Sequence, residues 1–184
     1  MEIKYLGHSS FLIKTKTAKV VTDPYDPEVV GMRFPKTEAD IITISHHHHD
    51  HDNASVVAKP QTGEQLMIDL PGEFERLGVR IFGYLSYHDK TKGSERGEDI
   101  LYKIEAEGVT LLHCGDLGYV PEDSFLDSLG DIDMAKGIEH KTMLKIGFLN
   151  KDIEENKDIY EKNFDVVILN DGPMDFVVSL IKNI

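Results

Sequence analysis

The stretch Ser45-His46-His47-His48-His49-Asp50-His51-Asp52-Asn53 gathers imidazoles and carboxylates more densely than any other part of the chain. It follows Asp40-Ile41-Ile42-Thr43-Ile44, a short apolar run that reads as a buried β-strand reaching its end. Within it, His46, His48, Asp50 and His51 have the spacing His-x-His-x-Asp-His. Residues two apart in an extended chain point to the same side, so His46 and His48 can grip one ion together. If the backbone then turns, Asp50 and His51 are offset and can reach a second ion beside the first. Imidazole and carboxylate suit zinc first, with manganese or iron as alternatives. Two plainer readings compete: a tag remnant, or a His-rich surface loop that binds metal adventitiously. The run is internal, and neither reading explains an acid and a fifth histidine at these offsets directly after a strand.

The elements that must hold such a cluster read mostly as strands. Residues 2–22 carry short apolar runs, with Thr15-Lys16-Thr17-Ala18-Lys19 as a polar break. Gly7-His8 lies at a strand junction, and Asp23 ends the next strand before Pro24. An aspartate there either accepts the free ring N–H of a ligand histidine or caps a turn. Residues 24–39 read as a long loop at the lip of a pocket, and Asn53 to Ala58 as a short helix with Asn53 as N-cap. Leu66-Met67-Ile68 reads as a strand and Pro71-Gly72-Glu73-Phe74 as a turn. Val79 to Tyr87 is a strong strand pattern running into His88, and Lys90 to Asp99 reads as a mobile charged loop. Ile100–Ile104 and Val109–Leu112 flank Glu107-Gly108 as a hairpin that delivers His113-Cys114-Gly115-Asp116. Pro121 to Leu129 and Asp152 to Asn163 read as helices, and Val166–Leu169 and Phe176–Val178 as strands.

The totals narrow the function classes. At 184 residues the chain suits one domain, 1–184, with a full core. The net charge of −13 repels phosphate backbones, so no nucleic-acid partner is expected and the substrate is read as a small molecule. The lone Cys114 allows no internal disulfide and fits a reducing, cytoplasmic setting. The chain opens on no basic-then-apolar leader, and no apolar run reaches membrane-spanning length, so no membrane association is expected.

The histidine-rich stretch resembles the metal-binding signature of the metallo-β-lactamase superfamily. Further pieces resemble one branch of it, the small metal-dependent hydrolases related to the ascorbate-phosphate lactonases. Those pieces are Tyr5-Leu6-Gly7-His8-Ser9-Ser10-Phe11, Val21-Thr22-Asp23-Pro24, Ser86-Tyr87-His88-Asp89, Glu95-Arg96-Gly97 and His113-Cys114-Gly115-Asp116-Leu117-Gly118. The resemblance implies an α/β fold, an αββα sandwich with the metal site at one rim. It implies His88 as third ligand beside His46 and His48, and Asp116 as the carboxylate bridging two ions. His8, Asp23 and Arg96 become second-tier or substrate-facing groups, with a turn histidine and a solvated loop arginine as the ordinary readings of His8 and Arg96.

The resemblance thins after Gly130-Asp131-Ile132-Asp133, where one strand-helix unit of the family, near residues 133–138, is missing. The last ligand of the second ion then falls on His140 or, aligned on Lys141-Thr142, on Glu139. The expected activity is hydrolysis of an ester, lactone or phosphodiester by water activated on one or two divalent ions, with Asp50 moving the proton. The alternative is a metal-binding protein of the same fold with weak or no hydrolase activity. An RNA-processing nuclease of the superfamily is opposed by the acidic charge.

Overall fold

A computed structural model describes residues 1–119, the strands at 146–149 and 166–169, and the helical positions 154, 157–158 and 161–162. The first sheet has the order β1 (Glu2–Gly7), β2 (Ser10–Lys14), β3 (Lys19–Thr22), β5 (Ile41–Thr43), β7 (Leu66–Ile68). The first two pairings are antiparallel, and β3–β5 and β5–β7 are parallel. The second sheet is antiparallel, in the order β11 (Val109–His113), β10 (Glu98–Ala106), β9 (Val79–Tyr87), β8 (Gly72–Arg76).

Alternation along the strands decides how the sheets are stacked. Ile13, Val20, Ile41 and Ile68 of the first sheet share one buried cluster with Val79, Ile81, Ile100, Tyr102 and Ile104 of the second. The two sheets therefore pack face to face, as in an α/β sandwich. Within each strand, residues two apart face that core and their immediate neighbours face the other way. Val21 and Ile42 join Leu6, Tyr25, Phe34, Ala39, Ile44 and Val57 in a second cluster on the far side of the first sheet. Strand β5 is thus buried on both faces, which explains why it reads as an unbroken apolar run.

Burial of Tyr102 carries a polar group into the sandwich. Its hydroxyl lies 2.9 Å from the Ile44 carbonyl and 3.1 Å from that of Ile68, tying β10 to the C-terminal ends of β5 and β7. Its cross-strand partner is Gly83, where an added Cβ would sit 3.0 Å from the Leu70 carbonyl and 3.1 Å from the Tyr102 ring.

Three stretches differ from the sequence reading. Residues 24–39 contain helix α1 (Pro27–Val30) and strand β4 (Thr37–Glu38), which pairs with β6 (Val57–Ala58). Its Tyr25, Phe34 and Ala39 cover the second core, so this loop is packed scaffold as well as lip. Residues 54–56 form one 3₁₀ turn before β6, and Asn53 makes no side-chain cap. Pro71-Gly72-Glu73-Phe74 enters strand β8, whose alternation is masked by charged residues on its exposed face.

The chain divides into two compact units, Met1–Glu122 and Asp123–Ile184. In the second unit, β12 (Ile146–Leu149) and β13 (Val166–Leu169) run parallel. The expected helix at 121–129, the strand at 176–178 and the missing unit near 133–138 lie outside the described residues. Among the described residues, no helix is long and apolar enough to cross a membrane.

Candidate metal centre

The centre forms where β5 ends. After Ile44 the backbone continues through Ser45 and His46, then turns at His48, whose carbonyl accepts the N–H of His51 at 2.8 Å and of Asp52 at 3.1 Å. The turn separates the run of histidines into two kinds. His46 is buried, whereas the side chains of His47 and His49 are 64% and 86% exposed. Two further backbone bonds, Asp26 N–H to the His49 carbonyl and Asn53 N–H to the Pro24 carbonyl, pin this turn onto the start of the 24–39 segment.

Three overlapping groups of donor atoms result, each lying within 4.8 Å: His46, His48 and His88; His46, His51 and Asp116; and His8, Asp50 and His51. The ring centroids of His46 lie 4.7 Å from His48, 4.9 Å from His88 and 4.2 Å from His51. Asp116 belongs to the second group and also touches His88 of the first. One carboxylate oxygen is 2.8 Å from His88 Nε2 and the other is 3.4 Å from His51 Nε2. Burial alone would raise the Asp116 pKa, but the His88 hydrogen bond and the charges of His51 and His46 hold it well below the usual carboxylate range.

The donor set fits a divalent cation. His46 Nε2, His51 Nε2 and His88 Nδ1 are buried without a hydrogen-bond partner, which is costly unless something else occupies the lone pair. On His46 and His51, the opposite ring nitrogen is already engaged by the protein. His46 Nδ1 lies 3.0 Å from Ser45 Oγ and 3.3 Å from Asp99 Oδ1, and His51 Nδ1 lies 3.0 Å from Asp23 Oδ2. A proton held on Nδ1 leaves Nε2 as the ligand atom, the arrangement found in metal sites. His48 is the exposed member. Partial desolvation, with His46 and His88 beside it, lowers its pKa and favours the neutral ring that a cation needs.

The support beneath these rings is a buried polar network. Asp23, wholly buried, accepts from the Ser45 N–H at 2.7 Å, Ser45 Oγ at 2.6 Å, His51 Nδ1 at 3.0 Å and His113 Nε2 at 2.8 Å. Burial opposes its ionisation, but His113 and His51 hold its pKa far below the ordinary value. Asp99 is equally buried; its pKa is raised by that burial, with the nearby Asp23 charge adding to it. Its Oδ1 also accepts the Asp116 N–H at 3.3 Å. The loop delivering Asp116 needs its glycines. At Gly115 (φ +52°) a Cβ would sit 2.3 Å from Asp99 Oδ1, and at Gly118 it would sit 2.2 Å from the His88 carbonyl.

The segment after His88 is ordered, against the expectation of a mobile loop. Asp89 Oδ1 accepts from Thr91 N–H, Thr91 Oγ1 and Gly93 N–H, and Oδ2 from the N–H groups of Glu95 and Arg96, all within 3.0 Å. Arg96 therefore contributes its backbone to this fold, and its side chain is exposed. Motif spacing alone gives no role to Ser45, Asp89 or Asp99. The signals were available: an acid opening the apolar run of β10, and polar residues directly flanking His46 and His88. Cys114 is half-buried. His140 and Glu139 lie outside the described residues.

With this geometry in view, comparison with known proteins defines the class. The β-lactamase superfamily domain model matches residues 2–136, and the chain belongs to that family. It is 27% identical over 158 residues to a UPF0173 metal-dependent hydrolase of Thermococcus onnurineus, covering 73% of this chain and 70% of the relative. A candidate Zn-dependent hydrolase of the metallo-β-lactamase superfamily from Thermotoga maritima superposes with a TM-score of 0.59 at 24% identity, covering 97% of this chain and 84% of that one. An isothiocyanate hydrolase from Delia radicum gut bacteria superposes with a TM-score of 0.56 at 14% identity, covering 100% and 93%; both likenesses speak for the fold. A second model, for pyrimidine 5′-nucleotidase, matches residues 125–184. There the chain is 41% identical over 59 residues to the 7-methylguanosine phosphate-specific 5′-nucleotidase of Mus musculus, spanning 32% of this chain but only 20% of that enzyme.

Proposed function

We propose that the chain is a metal-dependent hydrolase that cleaves an ester, lactone or phosphodiester bond in a small molecule. The observation that carries this reading is the convergence of His46, His48, His51, His88 and Asp116 on one rim, with buried ring nitrogens left for a ligand. A divalent cation, zinc in the first instance, would supply Lewis acidity that brings the pKa of water from about 16 to roughly 7. The chain's own part is positional. Asp23, Ser45 and Asp99 hold the rings of His51 and His46 from behind, so the first contacts need no reorganisation. Asp50, with a side chain 36% exposed and beside His51, would take and return the reacting proton.

A second reading, a metal-binding protein of this fold without turnover, is favoured by one observation. The superfamily model ends at residue 136, and the region holding His140 matches the nucleotidase model instead. We infer a two-part chain, a hydrolase unit followed by a nucleotidase-like segment, because the division at Glu122 and the second model's start at 125 nearly coincide. Metal content and turnover of the full chain decide between the readings. Hydrolysis of bis-p-nitrophenyl phosphate or a small lactone that is abolished by His46→Ala and by chelation supports the hydrolase. Bound metal without turnover on a broad panel of esters, lactones and phosphodiesters supports the alternative.

A further inference from the structure

Resting on the metal-centre reading above, we infer that His8 is a ligand of the second ion, completing with Asp50 and His51 the set for which the sequence offered His140. The three side chains come from two separate parts of the fold. His8 sits at the tip of the β1–β2 hairpin, and Asp50 and His51 on the turn after β5. Their ligand atoms lie within 4.8 Å of one another. His8 Nε2 is 3.3 Å from Asp50 Oδ2, and that oxygen is 3.9 Å from His51 Nε2. Ligand bonds of 2.0–2.1 Å in a tetrahedron put neighbouring donors about 3.4 Å apart, so small adjustments around these distances accommodate one ion. The His8 and His51 rings meet edge to face with centroids 4.9 Å apart, so both can present a nitrogen to a common point.

The backbone at His8 adds a second observation. Its φ is +52°, following Gly7 at +115°. Histidine is among the few side chains that enter the left-handed region readily, and here that conformation forms the tight turn that presents the ring. The hairpin has a register shift between Tyr5 and Gly7, which redirects the turn that carries His8. An added Cβ at Gly7 would meet the Tyr25 hydroxyl at 2.8 Å, so that turn is packed down onto the second core. His51 also belongs to the group with His46 and Asp116, which in turn shares His46 with the group of His48 and His88, so the two candidate ion positions are adjacent.

The test uses the full chain loaded with zinc and with cobalt(II), read by metal analysis, binding titration and the cobalt absorption spectrum. His8→Gly and His8→Asn both suit a positive φ, so the hairpin is preserved without its imidazole. The expected result is two ions in the unmodified protein. Both variants should lose the weaker ion, with its affinity down at least about 100-fold, while keeping the unmodified circular dichroism; His140→Ala should retain both ions. In the unmodified protein, the isotope-labelled ring nitrogen of His8 should shift on the second equivalent of zinc, a readout independent of any variant. Two ions held with unchanged affinity in both variants would overturn the assignment, as would loss of the second ion in His140→Ala alone. A single ion in the unmodified protein, removed by His46→Ala, would overturn the His8 assignment and leave the hydrolase reading standing. No bound ion would remove both.

Discussion

The carboxylate of Asp23 and the ring of His51 form a buried pair 3.0 Å apart, and this pair sets which face of His51 meets the centre. Both side chains have no exposure to solvent. The same carboxylate also receives the Ser45 N–H at Oδ1 and Ser45 Oγ and His113 at Oδ2, four hydrogen bonds in all. An ionised aspartate is tolerated there only because it is this completely hydrogen-bonded.

Replacing Asp23 by Asn should therefore cost more than one hydrogen bond. A carboxamide must turn its NH₂ toward either the Ser45 N–H or the cluster of His51, His113 and Ser45 Oγ, setting donor against donor. The expected loss is about 3 kcal/mol of stability, with metal affinity lowered roughly 10- to 100-fold. Urea unfolding and a zinc titration check both; unchanged values in the two would show that Asp23 does not support His51.

The pH dependence follows from the same pair. Burial alone would lower the His51 pKa, but the Asp23 hydrogen bond and charge, with Asp116 and Asp50 beyond, push it up to about 9 from 6.5. In metal-free protein His51⁺ thus contributes stability that is fully present below pH 6.5 and is lost as pH rises through about 9. A metal needs the neutral ring, so zinc binding at pH 7.5 should expel a proton from His51. Calorimetry in buffers of differing ionisation enthalpy measures that release. Binding heats independent of the buffer would contradict it.

Much of this centre was legible because its rules are local. His46 and His48 lie two residues apart with ring centroids 4.7 Å apart, though β5 ends at Thr43, and the turn after His48 is a property of a polar stretch following an apolar strand. Sandwich packing was legible for the same reason, since β5 and β9 advertise burial through their composition. The supporting network was not legible. Asp99 meets His46 across two different sheets, joined where the Ile100 N–H donates to the Ser45 carbonyl at 2.9 Å, and no spacing rule displays such a meeting. The segment 24–39 misled because prolines and glycine signal a loop whether or not it covers a core. From residue 125 the chain is similar to a second family, which the motif spacing of the first does not display.

Asp89 offers a prediction about order rather than chemistry. Burial opposes its ionisation, but the Thr91 side chain and the N–H groups of Arg96, Glu95 and Thr91 hold its pKa well below the ordinary carboxylate value. The folded loop is therefore stable above the unfolded value of 3.8 and loosens only as pH falls through the depressed one. Asp89→Asn removes one of the two acceptor oxygens and should expose the Lys90 and Lys92 peptide bonds to trypsin at neutral pH. Limited proteolysis compares the variant with the unmodified protein. Equal cleavage rates would mean that the loop holds its shape without the carboxylate.

The consecutive histidines supply an internal control for the metal centre. His46 is buried against His48, His51 and His88, while His47, one residue on, faces solvent with Asp52 and Asp69 at 3.7 and 3.8 Å. A tag-like run would bind metal through any of its members, so alanine at either position would reduce binding by a similar, modest amount. A folded centre requires asymmetry. His46→Ala should remove the tighter ion, with affinity falling by more than the roughly 10- to 100-fold expected for loss of a supporting partner. His47→Ala should leave stoichiometry, affinity and melting temperature unchanged within about 0.5 kcal/mol, as for ordinary surface substitutions. Zinc titration of the two variants distinguishes the cases, and equal losses at both positions would reduce the cluster to an adventitious surface site.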